Sequence, residues 1–425
     1  MTAPRISNLF PVVIMCKLIL TAWLLLSTAA LAALPPPTPD EPQEWIPGST
    51  SGTDALARKS WQNLQQYVGS SSNSTNSTCT LENAYRRKDW DSLQPDEKRA
   101  YIQAVQCLQR KPALSGSIAP GAKSRYDDFI ATHVNQTISI HNTGNFLTWH
   151  RYFVWTYEKA LREECGYRGY HPYINWPRLS NSVVNAPIFD GSDSSLGGNG
   201  APEPAKVPIV FSNETTPVTV VSPAGGGGCV TSGPFKNMSV NLGPVGLAGY
   251  GPTFITPNPR TDGLGHNPRC LRRDLSVEAA SGASDYNVTT LLANSPDIAT
   301  FQNVFQGPFA FSPPQRFYGA HASGHYIVGG DPGGDFYTSP GDPWFYLHHA
   351  QVDRVYWIWQ NLHLFDEGEV WKQIAGTVTL LNSPPSRDAR LDDRFDLGVN
   401  DGFRGITIGE GIFTLEGERY CYVYE

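Results

Sequence analysis

The stretch Asp342-Pro-Trp-Phe-Tyr-Leu-His-His-Ala-Gln-Val-Asp353, with His321-Ala-Ser-Gly-His325 just upstream, constrains the fold more than any other part of the chain. His321 and His325 are four apart, so on a helix they lie one turn apart on a single face and both imidazoles reach one metal ion. A third histidine follows on a helix about twenty residues later, which completes a three-His site with room for an exogenous ligand. Upstream stand His133, His141 and His150, the last within Phe146-Leu-Thr-Trp-His-Arg151. Two three-His clusters in one chain require helices that converge and aim their histidines at a shared centre.

Imidazole binds zinc, copper, iron and nickel alike, so the histidines alone do not select the metal. The surroundings narrow the choice. Di-iron bundles carry Glu-x-x-His repeats, and none occurs here. Hydrolytic two-metal sites use carboxylates, which these motifs do not offer as obvious ligands. No CxxC is present, so a thiolate zinc site is not indicated. Neutral three-His sites suit copper that cycles between its two oxidation states while handling dioxygen. A net charge of −7 argues against nucleic acid or an anionic membrane as the main partner. Three methionines exclude a Met-rich copper-trafficking surface.

The N-terminus reads as a secretory signal over residues 1–32. An apolar run from Leu18 to Leu26 follows Arg5 and Lys17, and Ala30-Leu-Ala32 fits a small-residue cleavage site. The alternative is an uncleaved signal anchor in the secretory pathway, but the run is short for a stable span. Sequons at Asn73, Asn76, Asn135, Asn213, Asn237 and Asn287 fit a secreted glycoprotein. Without Cys16, six cysteines remain, an even number that implies three disulfides in an oxidising compartment. Sequence neighbourhood pairs them as Cys79–Cys421, Cys107–Cys165 and Cys229–Cys270.

Residues 33–84 read as an N-terminal lead-in, Pro- and Ser-rich to about residue 52 and helical from Asp54 to about Val68. Pro95 opens a helix through Gln109 that places Tyr101, Val105 and Leu108 on one face. Ser124 caps a helix from Arg125 to about Ile138, and another runs from Phe146 to Glu164 and stops before Gly166. Residues 185–283, rich in Gly, Pro and Ser, read as loops draped over the core, stapled by Cys229–Cys270 and shaping the site mouth. Helix returns over Pro314–Val328 and Asp342–Leu362. Thr377–Leu380 and Tyr420–Tyr424 read as strands of a small sheet.

The segments Phe146-Leu-Thr-Trp-His-Arg-Tyr-Phe-Val-Trp-Thr-Tyr-Glu158, with His133 and His141 before it, and Asp342–Asp353 resemble the two signatures of the tyrosinase family. These are type 3 copper proteins that include polyphenol and catechol oxidases, and the likeness is to short fungal members. It covers residues 85–425, most densely 125–176 and 301–362. The resemblance implies a mainly α fold, with a four-helix bundle holding two copper ions and long loops plus a small β element around it. It implies one copper on His133, His141 and His150 and the other on His321, His325 and His349. His348 is then a buried neighbour, and His171, His266 and His363 are ordinary polar residues. Arg151, Glu158 and Asp353 are expected to fix ring tautomers or bind backbone. Tyr422-Val-Tyr424 resembles the mark that closes the family core, paired with Arg86 or Arg87. The resemblance also implies a site without a C-terminal shielding domain.

The family oxidises o-diphenols to o-quinones with O2, and some members hydroxylate monophenols with the help of a water held by a Glu and an Asn. Here Gln306 stands at the Glu position and Ala322 at the Asn position, while Tyr326 follows His325 and Phe336 overhangs the first copper. Ser139 stands where many fungal relatives carry a thioether-forming Cys. These departures point to a secreted diphenol or o-aminophenol oxidase with weak or absent monophenol hydroxylation. A monophenolase-competent tyrosinase, a pigment or secondary-metabolite tailoring oxidase, an oxygen binder and a zinc-loaded non-oxidative protein are the alternatives.

Overall fold

The structure, a computed structural model, describes residues 44–70, 78–211, 219–251, 254–307, 319–415 and 419–425. Its core is helical: α1 (Ser51–Ser70), α2 (Pro95–Arg110), α3 (Arg125–Ile140), α4 (Phe146–Cys165), α5 (Val277–Ser281), α6 (Asp285–Ala293), α7 (Ile298–Gln306), α8 (Ala320–Val328) and α9 (Trp344–Leu362). The bundle that matters for function is α3, α4, α8 and α9. Local signals set its ends. The Ser124 hydroxyl accepts from the Asp127 N–H while the Asp127 carboxylate accepts from Ser124, a reciprocal cap on α3. Gly166 ends α4 in the left-handed conformation at φ 69°, which glycine reaches without a Cβ clash.

Helix α9 is the axis of the molecule. Every residue from Trp344 to Asn361 is buried, the polar His349, Asp353 and Gln360 among them, so the rest of the fold encloses this helix on all sides. Helices α1 and α4 pack on it. The compact unit therefore takes in α1 as well as residues 85–425, and Asp285 fixes the start of α1 by accepting from the Gly52 and Thr53 N–H groups at 2.8 Å each.

Strands are short and pair in twos. β1 (Tyr85–Arg87) runs parallel to β10 (Tyr422–Tyr424), with Arg87 opposite Tyr424. The other pairs are antiparallel: β2 (Gly200–Pro202) with β5 (Gly227–Val230), β3 (Ile209–Phe211) with β4 (Thr219–Val221), β6 (Ser239–Val240) with β7 (Arg269–Cys270), and β8 (Arg394–Phe395) with β9 (Ile406–Thr407). The expected strand at Thr377–Leu380 does not form. Only Thr377 bridges, to Asp388, and the chain turns at Leu380–Asn382.

The three disulfides join the expected partners, Cys79–Cys421, Cys107–Cys165 and Cys229–Cys270. The last of these closes a loop within residues 185–283, and two ion pairs tie that segment to the rest of the fold. Arg273 and Asp342, both fully buried, pair at 2.7 Å, and Arg269 meets Asp331 at 2.5 Å. The expected helix at Pro314–Val328 is described from Ala320 onward, and residues 314–318 lie outside the described set. Helices α6 and α7 fall where no helix is expected from periodicity. The marker of α7 is a cap: the Asp297 carboxylate accepts from the Thr300 N–H at its start. Residues 1–32 and the sequons at Asn73, Asn76 and Asn213 lie outside the described residues. No described helix is long and apolar enough to cross a membrane.

One buried carboxylate joins four parts of the chain. Asp353 on α9 accepts from Arg151 Nε on α4 at 2.5 Å, from Arg87 on β1 at 3.3 Å, and from the Tyr422 and Tyr424 hydroxyls on β10 at 2.6 Å each. Arg87 also pairs with Glu158, so two guanidinium and two carboxylate groups balance within the core. Burial alone would push the Asp353 carboxyl up, yet Arg151 and Arg87 hold it below the ordinary range. Asp353→Asn therefore leaves uncompensated buried cations and should cost about 3–5 kcal/mol in denaturant unfolding near neutral pH. Because the folded carboxyl is the stronger acid, this stability exists above the unfolded value of about 3.9 and is lost as pH falls through the folded value. The gap between variant and wild type should accordingly shrink below about pH 4; a gap that persists there contradicts the assignment.

Candidate metal centre

The six histidines of the two motifs come together. His133 lies on α3, His141 at its C-cap and His150 on the first turns of α4, whereas His321 and His325 lie on α8 and His349 on α9. Among the described residues, two groups could hold a metal ion. One is His133, His141 and His150; the other is His321, His325, His349 and also His348. The groups adjoin: the His150 and His349 rings stack at 4.4 Å between centroids.

In the first group, backbone carbonyls set every tautomer. His133 Nδ1–H donates to Tyr337 O at 2.7 Å, His141 Nδ1–H to Thr137 O at 2.9 Å and His150 Nδ1–H to Phe146 O at 2.8 Å. A carbonyl can only accept, so the proton is on Nδ1 and the Nε2 lone pair is free. Nε2 of His133 and of His150 is buried and has no protein partner, which is costly unless a cation occupies the space between them. In the second group, His325 Nε2 lies 3.2 Å from His321 Nε2 and 3.2 Å from His349 Nε2. Three ring nitrogens converging on one point fit a shared cation. Burial, with mutual repulsion a lesser cause, keeps all six rings neutral. It lowers His141 to about 4 and His325 to about 3, and it drives His133, His150, His321 and His349 well below the ordinary value.

His348 is fully buried between Trp176 and Gly324, with its ring 5.6 Å from and nearly parallel to that of His321. Both its nitrogens lack a protein partner. The remaining histidines stand apart. His171 Nε2 lies 2.9 Å from Tyr346 O, His363 pairs with Asp366 and His266 is exposed. Of the two roles expected of Arg151, Glu158 and Asp353, fixing ring tautomers or binding backbone, the structure shows the second: Arg151 donates to the Gly411 and Ile412 carbonyls, and Glu158 and Asp353 bind Arg87, Arg151 and the tail rather than the rings.

A cleft opens onto the histidines, lined by His141, Asn142, Gln306, Ala322, Tyr326 and Phe336 among others. Phe336 is 39% exposed, and its ring centroid lies 4.7 Å from that of His141, so it flanks the mouth above the first group. Gln306 Oε1 accepts from the Asn142 N–H at 2.7 Å and so is already engaged. Asp335 also lines the cleft, but its two oxygens accept from the backbone N–H groups of Val245, Gly246, Tyr337 and Thr338. That carboxylate ties residues 245–246 of the long insertion to the loop carrying Phe336. Nothing in composition or periodicity marks Asp335 or Asn142, since backbone partners leave no side-chain pattern. The only hint is that Asn142-Thr-Gly144 reads as a turn.

A helical bundle with two adjoining three-imidazole clusters beneath a cleft defines a histidine-ligated dinuclear metal protein. Residues 123–362, more than half of the chain, match the common central domain of tyrosinase. The tyrosinase-like protein orsC of Emericella nidulans is 43% identical over 312 residues, spanning 72% of this chain and 80% of its own. From the same organism, N-acetyl-6-hydroxytryptophan oxidase ivoB is 38% identical over 356 residues, spanning 82% and 94%. A solved polyphenol oxidase from Thermothelomyces thermophila superposes with a TM-score of 0.80 at 41% identity, covering 88% of this chain and 98% of its own. The chain belongs to the tyrosinase family, whose type 3 centre holds a pair of copper ions, and the donor set found here fits them.

Gly324 supplies a test of the packing around the second group. A Cβ there would lie 2.2 Å from His348 Cε1 and 2.3 Å from its Nδ1. Gly324→Ala should push the His348 ring and cost about 1–3 kcal/mol, read as a lower melting temperature of the metal-free protein. An unchanged melting temperature would show that the ring has room to move.

Proposed function

We propose that the protein is a secreted dicopper oxidase that converts o-diphenols, and o-aminophenols, to o-quinone products with O2. One copper would be held by His133, His141 and His150 and the other by His321, His325 and His349. The observation that carries this reading is the set of neutral imidazoles whose Nε2 atoms converge beneath one cleft. Copper, when bound there, supplies the redox couple that takes electrons from the phenol and passes them to dioxygen. Two diphenols each give up two electrons and two protons, and one O2 takes all of them to give two waters.

The chain's own part is binding and geometry. Backbone carbonyls fix the rings of the first cluster so that reorientation is not needed during turnover. Phe336 offers an apolar face beside His141 for an incoming ring, and Ala322 leaves the floor beside the second cluster without a polar group. Three features support oxidation over hydroxylation. Gln306 is an amide with its oxygen on the Asn142 N–H, Ala322 cannot hold a water, and Asp335 is saturated by backbone donors. Among the described lining residues, no carboxylate is left to take a proton from a monophenol. The pairing of all six described cysteines supports passage through an oxidising compartment.

The relative whose name specifies N-acetyl-6-hydroxytryptophan supports a narrower version, in which the natural substrate is an aromatic metabolite larger than catechol. Copper analysis with O2 uptake tests the proposal. The secreted protein should carry two coppers per chain and consume O2 at least tenfold faster with catechol or 2-aminophenol than with tyrosine. His349→Ala should lower the copper content toward one per chain, while His348→Ala should leave it at two. Rapid tyrosine hydroxylation would overturn the diphenolase reading, and copper loss on replacing His348 alone would reassign the ligand.

A further inference from the structure

Asn142 follows His141 directly and adopts φ 48°, in the left-handed region that asparagine and glycine enter most readily. Its backbone is fixed from several sides. The N–H donates to Gln306 Oε1 at 2.7 Å, and the carbonyl accepts from Leu381 N at 3.4 Å. Next to it, Thr143 O accepts from Gln302 Nε2 at 3.0 Å and Gly144 N–H donates to Thr377 O at 3.0 Å. Two turns of α7 and the 375–381 segment thus clamp the residue. Its carboxamide, by contrast, makes no hydrogen bond to any described residue, and the residue lines the cleft beside His141 and Phe336.

Glycine would meet the backbone requirement at least as well, so what asparagine adds is an unpaired donor and acceptor on a rigid support. The neighbours define what such a group would recognise. Among the described lining residues there is no Lys or Arg, and the single carboxylate, Asp335, is engaged by backbone N–H groups. An anionic ring substituent would find no counter-charge from the chain. A neutral one that both donates and accepts would match the amide. We propose that Asn142 is a specificity-determining residue whose carboxamide hydrogen-bonds a neutral polar substituent, such as an amide, carbonyl or hydroxyl, on the phenolic ring. The inference rests on the phenol-oxidase reading of the site.

The test compares wild type, Asn142→Gly and Asn142→Asp, each copper-loaded, on 3,4-dihydroxybenzamide, dopamine and catechol. In Asn142→Gly, which keeps the backbone conformation, kcat/KM for the benzamide relative to catechol should fall about tenfold through KM, the worth of one hydrogen bond. Asn142→Asp should move preference from the benzamide toward the ammonium-bearing dopamine. Calorimetric titration of benzamide into the copper-free proteins should show weaker binding to both variants than to wild type. If Asn142→Gly leaves every ratio at the wild-type value and binds benzamide equally well, the residue serves only the turn and the proposal is overturned. If wild type oxidises none of the three diphenols, the phenol-oxidase reading fails, and the calorimetry still decides whether Asn142 binds an amide.

Discussion

An imidazole is tolerated in a dry core only while neutral, because a charged ring buried without a counter-ion would lose far more hydration than the core returns. Six of them lie side by side here, and no carboxylate of the described residues contacts their rings to offset a proton. Neutrality forces each ring to have one nitrogen that donates and one that does not. Wherever a carbonyl takes the donor, the other nitrogen is left for a cation. The rest of the architecture follows from keeping those lone pairs aimed inward. Helices α3, α4, α8 and α9 supply the rings, and carbonyls at Thr137, Phe146 and Tyr337 orient three of them.

Two supports hold that arrangement from outside. On one side, Asp353 sits one turn beyond His349 and gathers Arg151, Arg87, Tyr422 and Tyr424, so the helices bearing His150 and His349 are fastened together and to the tail. On the other side, Asp335 fastens the insertion to the loop of residues 335–338. That loop carries Phe336 at the mouth and the Tyr337 carbonyl behind His133. The long insertion therefore supports the loop that flanks the cleft mouth and orients His133, without adding a histidine to either cluster.

Much of this was legible in the chain because helical spacing and metal chemistry both leave side-chain patterns. His321 and His325 declared a face, Ser124, Pro95 and Gly166 declared helix ends, and the cysteines paired by neighbourhood. What stayed hidden depends on backbone groups and on short elements. Helix α7 was masked by a Gly- and Pro-rich flank, although Asp297 caps it, and with it went the contact between Gln306 and Asn142. Thr377–Leu380 has the alternation of a strand, but its pairing with 387–389 stops at a single bridge because the chain turns at Leu380–Asn382. Of the roles expected of Arg151, Glu158 and Asp353, backbone binding holds for Arg151, whereas the tautomers of His133, His141 and His150 are set by carbonyl groups, which are identical at every residue and leave no mark in the sequence.

The most direct measurement is anomalous diffraction from the copper-loaded protein at the copper edge. Two peaks should appear, one at about 2 Å from the Nε2 atoms of His133, His141 and His150 and one at the same distance from those of His321, His325 and His349. A single peak, or a peak bonded to His348 in place of His349, would contradict the account.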